Sequence, residues 1–294
     1  MVREKKKLMN VKPSRSNISL ITLAATLIMF NVDCVSGETK KPAKLVAYDS
    51  ITVPGEKVIL TAKLEKKVLF FRPDLKGERL VFHIDNKKVG ECITNEEGYA
   101  FVPYTINRPG EFELDVQLST ASRYVTHKRS AKIYCCNKKK PAIIVDIDHT
   151  VADVGWLGAM IRPNKEIMPL KNAPDILQKI SQKYDIVFVT KREENFLRKT
   201  ETWLKMYKFP DAPVFFWDLG DYPISSVKYK TERIRKLRQI WKNISIGIGD
   251  RDSDIEAYLA NGMKVIKIGK ENKIIPGVTF VSDWNDIEKL LMVK

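Results

Sequence analysis

The sequence predicts a doubly wound, mostly parallel α/β sheet with a minimal cap, preceded by a smaller all-β sandwich. Three observations predict it. Short runs from Lys44 to Tyr134 alternate apolar and polar residues with period two; after Pro141, continuous β-branched runs alternate with amphipathic stretches; and several of those later runs end in carboxylates. At 294 residues the chain has room for about two domains, each able to bury a core. Its 44% hydrophobic content, with no low-complexity tract, excludes a collagen-like or wholly disordered chain.

The amino terminus stands apart. Within residues 1–37, Arg3, Lys5, Lys6, Lys7, Lys12 and Arg15 precede a 15-residue apolar run, Ile18 to Val32, and Val35-Ser36-Gly37 offers a small-residue cleavage site. This is the pattern of a secretory signal peptide. An uncleaved membrane anchor is the alternative, although the run is shorter than the roughly 20 residues a spanning helix needs. Cys34 invites a lipoprotein reading, yet Asp33 stands where that signal wants a small residue. The expectation is therefore an exported protein, periplasmic or secreted, or one held at the membrane by this segment. The net charge is +15, and without the leader's six basic and two acidic residues it is +11. Such a surface attracts anionic membranes, nucleic acid or phosphorylated substrates without choosing among them. Beyond the leader, Cys92, Cys135 and Cys136 allow one disulfide, Cys92 with either of the others, or three reduced core thiols.

Residues 42–136 read as the sandwich. Strands are expected at Leu45 to Tyr48, Lys57 to Leu64, Leu80 to Ile84, Lys88 to Thr94, Tyr99 to Tyr104, Glu111 to Leu118 and Ala131 to Tyr134. The reversals between them carry turn residues: Pro54-Gly55, Asp85-Asn86, Asn95-Glu96-Glu97-Gly98 and Pro109-Gly110. Seven short antiparallel strands at this spacing suggest an immunoglobulin-like sandwich, and Thr94 to Ala100 followed by Gly110-Glu-Phe-Glu-Leu resembles bacterial immunoglobulin-like modules. His83 and His127 have no carboxylate or second histidine nearby in sequence, so neither is expected to do chemistry.

The charged stretch Asn137-Lys138-Lys139-Lys140-Pro141 marks a boundary, and residues 141–294 form the α/β domain. Strands are expected at Ile143 to Ile147, Ile186 to Thr190, Val214 to Trp217, Ser245 to Gly249 and Lys264 to Ile268. Helices are expected near Ala173 to Lys183, Glu193 to Tyr207, Thr231 to Trp241 and Asp252 to Asn261. The strands are apolar on both faces, as required when helices cover both sides of a parallel sheet.

The carboxylates locate the chemistry. In Ile143-Ile-Val-Asp146-Ile-Asp148-His-Thr150 a buried strand ends in two carboxylates two residues apart, so both leave on one side at the edge where open α/β sheets bind ligands. Two such groups repel unless a cation neutralises them, which points to a metal or to a general acid beside an ionised nucleophile. The run Ile244 to Gly249 is followed by Asp250, Asp252 and Asp254, hard oxygen donors of the kind that hold Mg²⁺. Asp252 and Glu256 are equally explained as complements to a helix dipole. Thr190 ends a third strand and Lys230 precedes a helical run; a hydroxyl and an ammonium are what a phosphoryl group needs.

Taken in order, these elements resemble the haloacid dehalogenase superfamily of phosphotransferases, with its DxDxT/V, strand-terminal Ser/Thr, Lys and GDxxxD motifs, over Pro141 to Asn285. The resemblance implies a Rossmann-like sheet and a magnesium-dependent phosphatase. By it, Asp146 is the nucleophile that becomes an aspartyl phosphate and Asp148 the acid and then the base. Thr190 and Lys230 bind phosphate, and Asp146, the Asp148 carbonyl, Asp250 and Asp254 hold Mg²⁺. An aspartate at position 148 favours phosphatases and mutases over dehalogenases. The Tyr229-Lys230-x-x-x-Ile-x-x-Leu pattern, Gly249-Asp-Arg-x-x-Asp-x-x-Ala-Tyr258 and Thr190-Lys-Arg are similar to phosphatidate phosphatases of the lipin and actin-patch types, whereas His149 departs from the Gly or Asp more usual there. About twenty residues separate Thr150 from the next helix, too few for a large cap, so the site is expected to be open and to suit a bulky substrate such as a phospholipid headgroup. Trp156, Met160 and Ile161 in that insertion are candidates for lipid contact. A phospholipid-sensing or adhesion protein without turnover is the alternative; a polynucleotide end phosphatase is favoured by charge but disfavoured by export.

Overall fold

The computed structural model describes residues 39–67, 73–217, 225–270 and 274–292. The expected leader, Cys34 included, lies outside them. Residues Thr39–Lys294 form one compact unit, and no helix among the described residues is long and apolar enough to cross a membrane.

The period-two alternation becomes a pleat. In β3 (Lys57–Lys66) Val58, Leu60, Ala62 and Leu64 are buried while Lys57 and Ile59 are exposed. With β1 (Lys41–Ala47), β6 (Tyr99–Thr105) and β8 (Tyr124–Val125) it makes a four-stranded sheet in the order β6-β3-β1-β8. A second sheet, β2-β9-β7-β4-β5, is built from β2 (Ser50–Thr52), β4 (Arg79–Ile84), β5 (Lys87–Ile93), β7 (Gly110–Leu118) and β9 (Arg129–Cys135). Both sheets contribute to one core, in which Leu60, Leu64 and Val102 meet Leu80, Phe82, Leu114 and Ile133. Asp85 and Asn86, at φ 46° and 65°, form the two-residue hairpin turn between β4 and β5, a conformation these short polar residues tolerate.

Two expectations for this region need correction. The strands β2 and β8 were not anticipated, because two or three residues carry no period. They also pair parallel, β2 with β9 and β8 with β1, so the region is not wholly antiparallel. Of the two readings of the cysteines, the reduced one holds: Cys92, Cys135 and Cys136 are all free.

The second half is a six-stranded parallel sheet. Its strands are β10 (Ala142–Val145), β11 (Asp185–Glu193), β12 (Val214–Trp217), β13 (Ile244–Gly249), β14 (Lys264–Ile268) and β15 (Val278–Val281), in the order β12-β11-β10-β13-β14-β15. The chain winds outward from β10 to β12 and then restarts at β13 on the other side. The carboxyl end of β10 therefore lies at the switch point, where the flanking connections diverge and leave a crevice. One face is covered by α2 (Ala173–Lys183), α3 (Leu197–Met206) and α6 (Trp284–Met292), through Leu177, Trp203 and Trp284. The other is covered by α4 (Ser226–Ile240) and α5 (Asp252–Ala260), and its core extends into Ile51, Val53 and Tyr134 of the β-rich region. That explains why β2 is buried on both sides.

The expected strand Ile143 to Ile147 stops at Val145, because after the Asp146 N–H bond to the Ile248 carbonyl the chain leaves the sheet and turns back on the Ile147 carbonyl. The helix expected from Glu193 starts at Leu197, since β11 runs on to Glu193 and a 3-10 turn follows. The helix expected from Thr231 starts five residues earlier, at Ser226, capped by the Ser225 hydroxyl, which accepts from the Lys228 N–H at 3.2 Å. The short α1 (Trp156–Ile161), β15 and α6 were not anticipated.

One glycine ties sheet to helix. A Cβ at Gly247 of β13 would lie 2.3 Å from Cγ of Tyr258, whose fully buried ring packs on that strand and whose hydroxyl donates to the Ile248 carbonyl at 3.1 Å. Gly247→Ala is expected to destabilise the chain by about 1–3 kcal/mol through overpacking, read as a lowered denaturation midpoint.

Where the β-rich region meets α3 and the loop before β12 there is a cleft of about 800 Å³. Lys132 pairs with Asp211 and, at 3.1 Å, with Glu111, and the Tyr134 hydroxyl donates to Asp211 at 3.1 Å. Burial raises Asp49 to about 6 and Glu201 to about 7. A carboxyl whose pKa is raised by folding holds its proton better in the native state. Its ionisation cost is absent below the unfolded value and grows as pH rises through the folded one. Glu201→Gln is therefore expected to gain stability relative to the unmodified chain between about pH 4.5 and 7. Paired denaturation curves across that window test it, and a constant difference would contradict it.

Candidate active site

The site assembles at the carboxyl ends of β10, β11 and β13. Asp146 follows β10 directly and its N–H donates to the Ile248 carbonyl at 3.0 Å, which fixes the chain as it leaves the sheet. The next residues turn tightly: the N–H groups of Val151 and Ala152 both donate to the Ile147 carbonyl at 2.9 Å. His149 takes φ 59° in this turn, a left-handed conformation uncommon for its residue type. The indole of Trp284, at the start of α6, donates to the Thr150 carbonyl at 2.8 Å and braces the loop from below.

Lys230 links three elements. From α4 its ammonium donates to Asp146 Oδ1 and to Asp254 Oδ1, each at 2.5 Å, and all three side chains are buried. Asp254 lies in the first turn of α5, and its other oxygen accepts from the Arg251 N–H at 3.3 Å. Gly249 makes room for it, since a Cβ there would come within 2.7 Å of the Asp254 Cβ. Burial alone would depress the lysine, but the two carboxylates outweigh it and hold its pKa well above the ordinary value. Burial raises Asp146 to about 7, and the charges of Asp254 and Asp148 add to this against the pull of Lys230. Asp250 is also raised, by burial and then by Asp254, while the Thr150 hydroxyl donates to it at 3.2 Å.

Oxygens of Asp146, Asp250 and Asp254 all lie within 4.8 Å of one another. Three carboxylates face the Lys230 ammonium, with the Arg251 guanidinium 3.9 Å from Asp250, so negative groups outnumber positive ones in the cluster. Hard carboxylate oxygens at this spacing fit a small oxygen-seeking ion. Asp148 contributes no side-chain oxygen to that group. Its carboxylate is taken by Arg192 of β11, with Nη2 donating to Oδ1 at 2.8 Å and Nε at 3.1 Å.

Five of the expected site residues, Asp146, Asp148, Lys230, Asp250 and Asp254, are thus brought together. Thr190, expected to end its strand, lies three residues inside β11 because the strand runs on to Glu193; it is fully buried and its hydroxyl oxygen accepts from the Arg192 N–H at 3.2 Å. The cleft is lined in addition by Trp156, Lys191, Ser226 and Arg251. The Lys191 ammonium lies 5.9 Å from the Trp156 ring centre and 5.1 Å from that of Trp217. Arg192, Lys191 and Trp284 were not singled out in the sequence. The Thr190-Lys-Arg run was the one available signal for the first two.

Residues 143–268 match the family model described as "PITM 1-3, LNS2 domain". No curated protein matches the chain. Among solved structures, the chain is similar to a chain of the Pnkp1/Rnl/Hen1 RNA repair complex, at 14% identity and TM-score 0.39 over 46% of this chain and 44% of that one. It is also similar to a HAD-superfamily hydrolase, subfamily IA, from Geobacter sulfurreducens (12% identity, TM-score 0.39, 52% of this chain and 96% of that one). A third similarity is to fibronectin(III)-like modules of Clostridium thermocellum CbhA (19%, TM-score 0.23, 32% and 94%). The chain spans about half the length of the RNA repair chains it matches.

Removing one member of a buried ion cluster leaves the others uncompensated. Lys230→Met is expected to cost about 3–5 kcal/mol in the absence of divalent cations. Mg²⁺ should recover part of that loss, because a cation can replace the missing ammonium. Thermal melts with Mg²⁺ and with a chelator check it, and Asp250→Asn should weaken the Mg²⁺ response.

Proposed function

We propose that the chain is a magnesium-dependent phosphomonoester hydrolase of the haloacid dehalogenase type, acting on a substrate presented at a phospholipid surface, phosphatidate being the favoured case. The observation that carries the proposal is the pairing of two carboxylates at one strand end with different cations: Asp146 with Lys230, Asp148 with Arg192. On this reading one carboxylate attacks and the other handles a proton. The match to the LNS2 family model over the same strands supports the class.

Asp146, Asp250 and Asp254 would hold Mg²⁺, together with the Asp148 carbonyl, and the ion would neutralise charge on the phosphoryl group. Asp146 attacks phosphorus as the bond to the leaving oxygen breaks, and Asp148 gives that oxygen a proton. Asp148 then takes a proton from the water that attacks the aspartyl phosphate, which restores Asp146. Lys230 holds Asp146 and would bind the phosphoryl oxygens.

The lipid reading is supported by the rim. α1 places Trp156 in the cleft lining and leaves Leu157 and Ile161, one helical turn apart, exposed at 55% and 76%. Arg162 and Lys165 follow, also exposed. Apolar residues beside cations and an indole suit the boundary between headgroups and acyl chains. The β-rich region is, on this proposal, an immunoglobulin-like module that buttresses the α4 and α5 side of the sheet.

Phosphate release from phosphatidate in vesicles and from soluble phosphomonoesters, with and without Mg²⁺, tests the reading. Asp146→Asn is expected to lower the rate by about 10³-fold or more on every substrate. Leu157→Asp combined with Ile161→Asp is expected to slow vesicle turnover about tenfold and to spare soluble substrates. Vesicle binding without turnover of any substrate would favour a phospholipid-sensing protein instead.

A further inference from the structure

Asp148 is the one site carboxylate outside both the lysine clamp and the acidic triad, and the way it is held is specific. The Arg192 Nη2 and Nε donors converge on Oδ1, at 2.8 and 3.1 Å, and only the longer Nε contact, 3.3 Å, reaches Oδ2. The guanidinium is itself fixed: Nη1 donates to the Thr200 hydroxyl at 3.2 Å, the Trp203 ring centre lies 5.8 Å from Cζ, and the backbone N–H donates to Thr190. Arg192, Asp148 and Thr200 are each at most 4% exposed. The pairing of β11 with β12 is irregular between Val189 and Glu193, and along this stretch Thr190 and Arg192, two residues apart, are buried while Lys191 between them is only partly so, which puts the Arg192 side chain on the inner face of the strand.

A planar fork anchored on three sides sets direction as well as charge, which a lysine cannot do. We propose that Arg192 is a positioning residue: it immobilises Asp148 through Oδ1 and so presents Oδ2 to the leaving oxygen in the first half-reaction and to the attacking water in the second. This rests on the phosphatase reading above. In the first step the Asp146 carboxylate forms the bond to phosphorus, the bond from phosphorus to the leaving oxygen breaks, and the proton on Asp148 passes to that oxygen. In the second, water bonds to phosphorus, its proton passes to Asp148, and the bond from phosphorus to Asp146 breaks. Both transfers need one oxygen of Asp148 held in one place while its partner atom changes. A clamp on the other oxygen supplies that constraint.

The consequence is a dependence on the leaving group. An alkyl phosphate needs proton donation as its bond breaks, whereas p-nitrophenyl phosphate expels a stable anion without it. The experiment uses the full chain with Mg²⁺ in single-turnover mode, enzyme in excess, so that only the first step is read. Arg192→Met is expected to slow release of the alcohol from glycerol phosphate by about 10²-fold and release of p-nitrophenolate by less than about threefold. Arg192→Lys, which keeps the charge and loses the fork, should fall on the same side. Equal slowing of both substrates, or of neither, overturns the proposal.

Because Arg192→Met leaves a buried carboxylate alone, the pair is also tested in a background where none remains. On Asp148→Asn, adding Arg192→Met should change the glycerol phosphate rate by less than about twofold, since a residue acting only through Asp148 has nothing left to act on. A further loss of the size seen in the single variant would give Arg192 a separate role and sink the inference. If the unmodified chain turns over neither substrate, the phosphatase reading fails and takes this proposal with it. If it turns over both, but the Arg192 variants show no leaving-group dependence, only the positioning role fails.

Discussion

Lys230 is the point at which the α/β half of the molecule is tied together. Its ammonium reaches Asp146 from α4 and, in the same position, Asp254 of α5. Two helices and the central strand are therefore registered against one another by a single buried cation. Removing three ions from water costs several kcal/mol apiece, so this clamp is unfavourable unless the surrounding packing enforces it. The packing does: Tyr229 beside it is fully buried and donates to the Phe216 carbonyl at 2.6 Å, Tyr258 seals the α5 side, and Gly247 and Gly249 remove the side chains that would keep α5 off the sheet. The clamp stays deficient in positive charge, and that deficit makes the cluster receptive to a divalent ion.

The two carboxylates at the end of β10 illustrate how environment separates chemically identical groups. Asp146 is given a flexible point charge shared with Asp254; Asp148 is given a rigid guanidinium of its own. A partner that can be displaced or shared suits a group that must change its bonding. A forked partner suits a group that must keep its direction. The rim continues this division, with Lys191 against two indoles on one side and the exposed apolar turn of α1 on the other.

Much of this was legible in the sequence because it is local. A strand that ends in Asp-Ile-Asp puts both carboxylates at one edge of a parallel sheet whatever surrounds it, and a glycine before Asp250 announces a close approach. Asp85-Asn86 declared its turn for the same reason. Arg192 was not legible in the same way: its partner, Asp148, is 44 residues away in the chain, and a surface arginine next to a lysine has the same local sequence. Trp284 supports the loop from 134 residues away, beyond any periodic pattern. Thr190 was recognised as a strand-terminal hydroxyl, but which way its oxygen turns depends on the Arg192 backbone beside it.

By itself the sequence determined the two-part organisation of alternating strands and then β-branched runs, the parallel α/β class of the second part, and the set of acidic and basic residues at its strand ends. Each of these follows from side-chain periodicity and local backbone preference, which act over a few residues. Tertiary structure alone decided which cation meets which carboxylate, that β2 pairs parallel and is buried against the α/β core, and that the three cysteines stay free. Those outcomes depend on where separate segments arrive in space, and the free energy that selects them is set by burial and by neighbours remote in the chain.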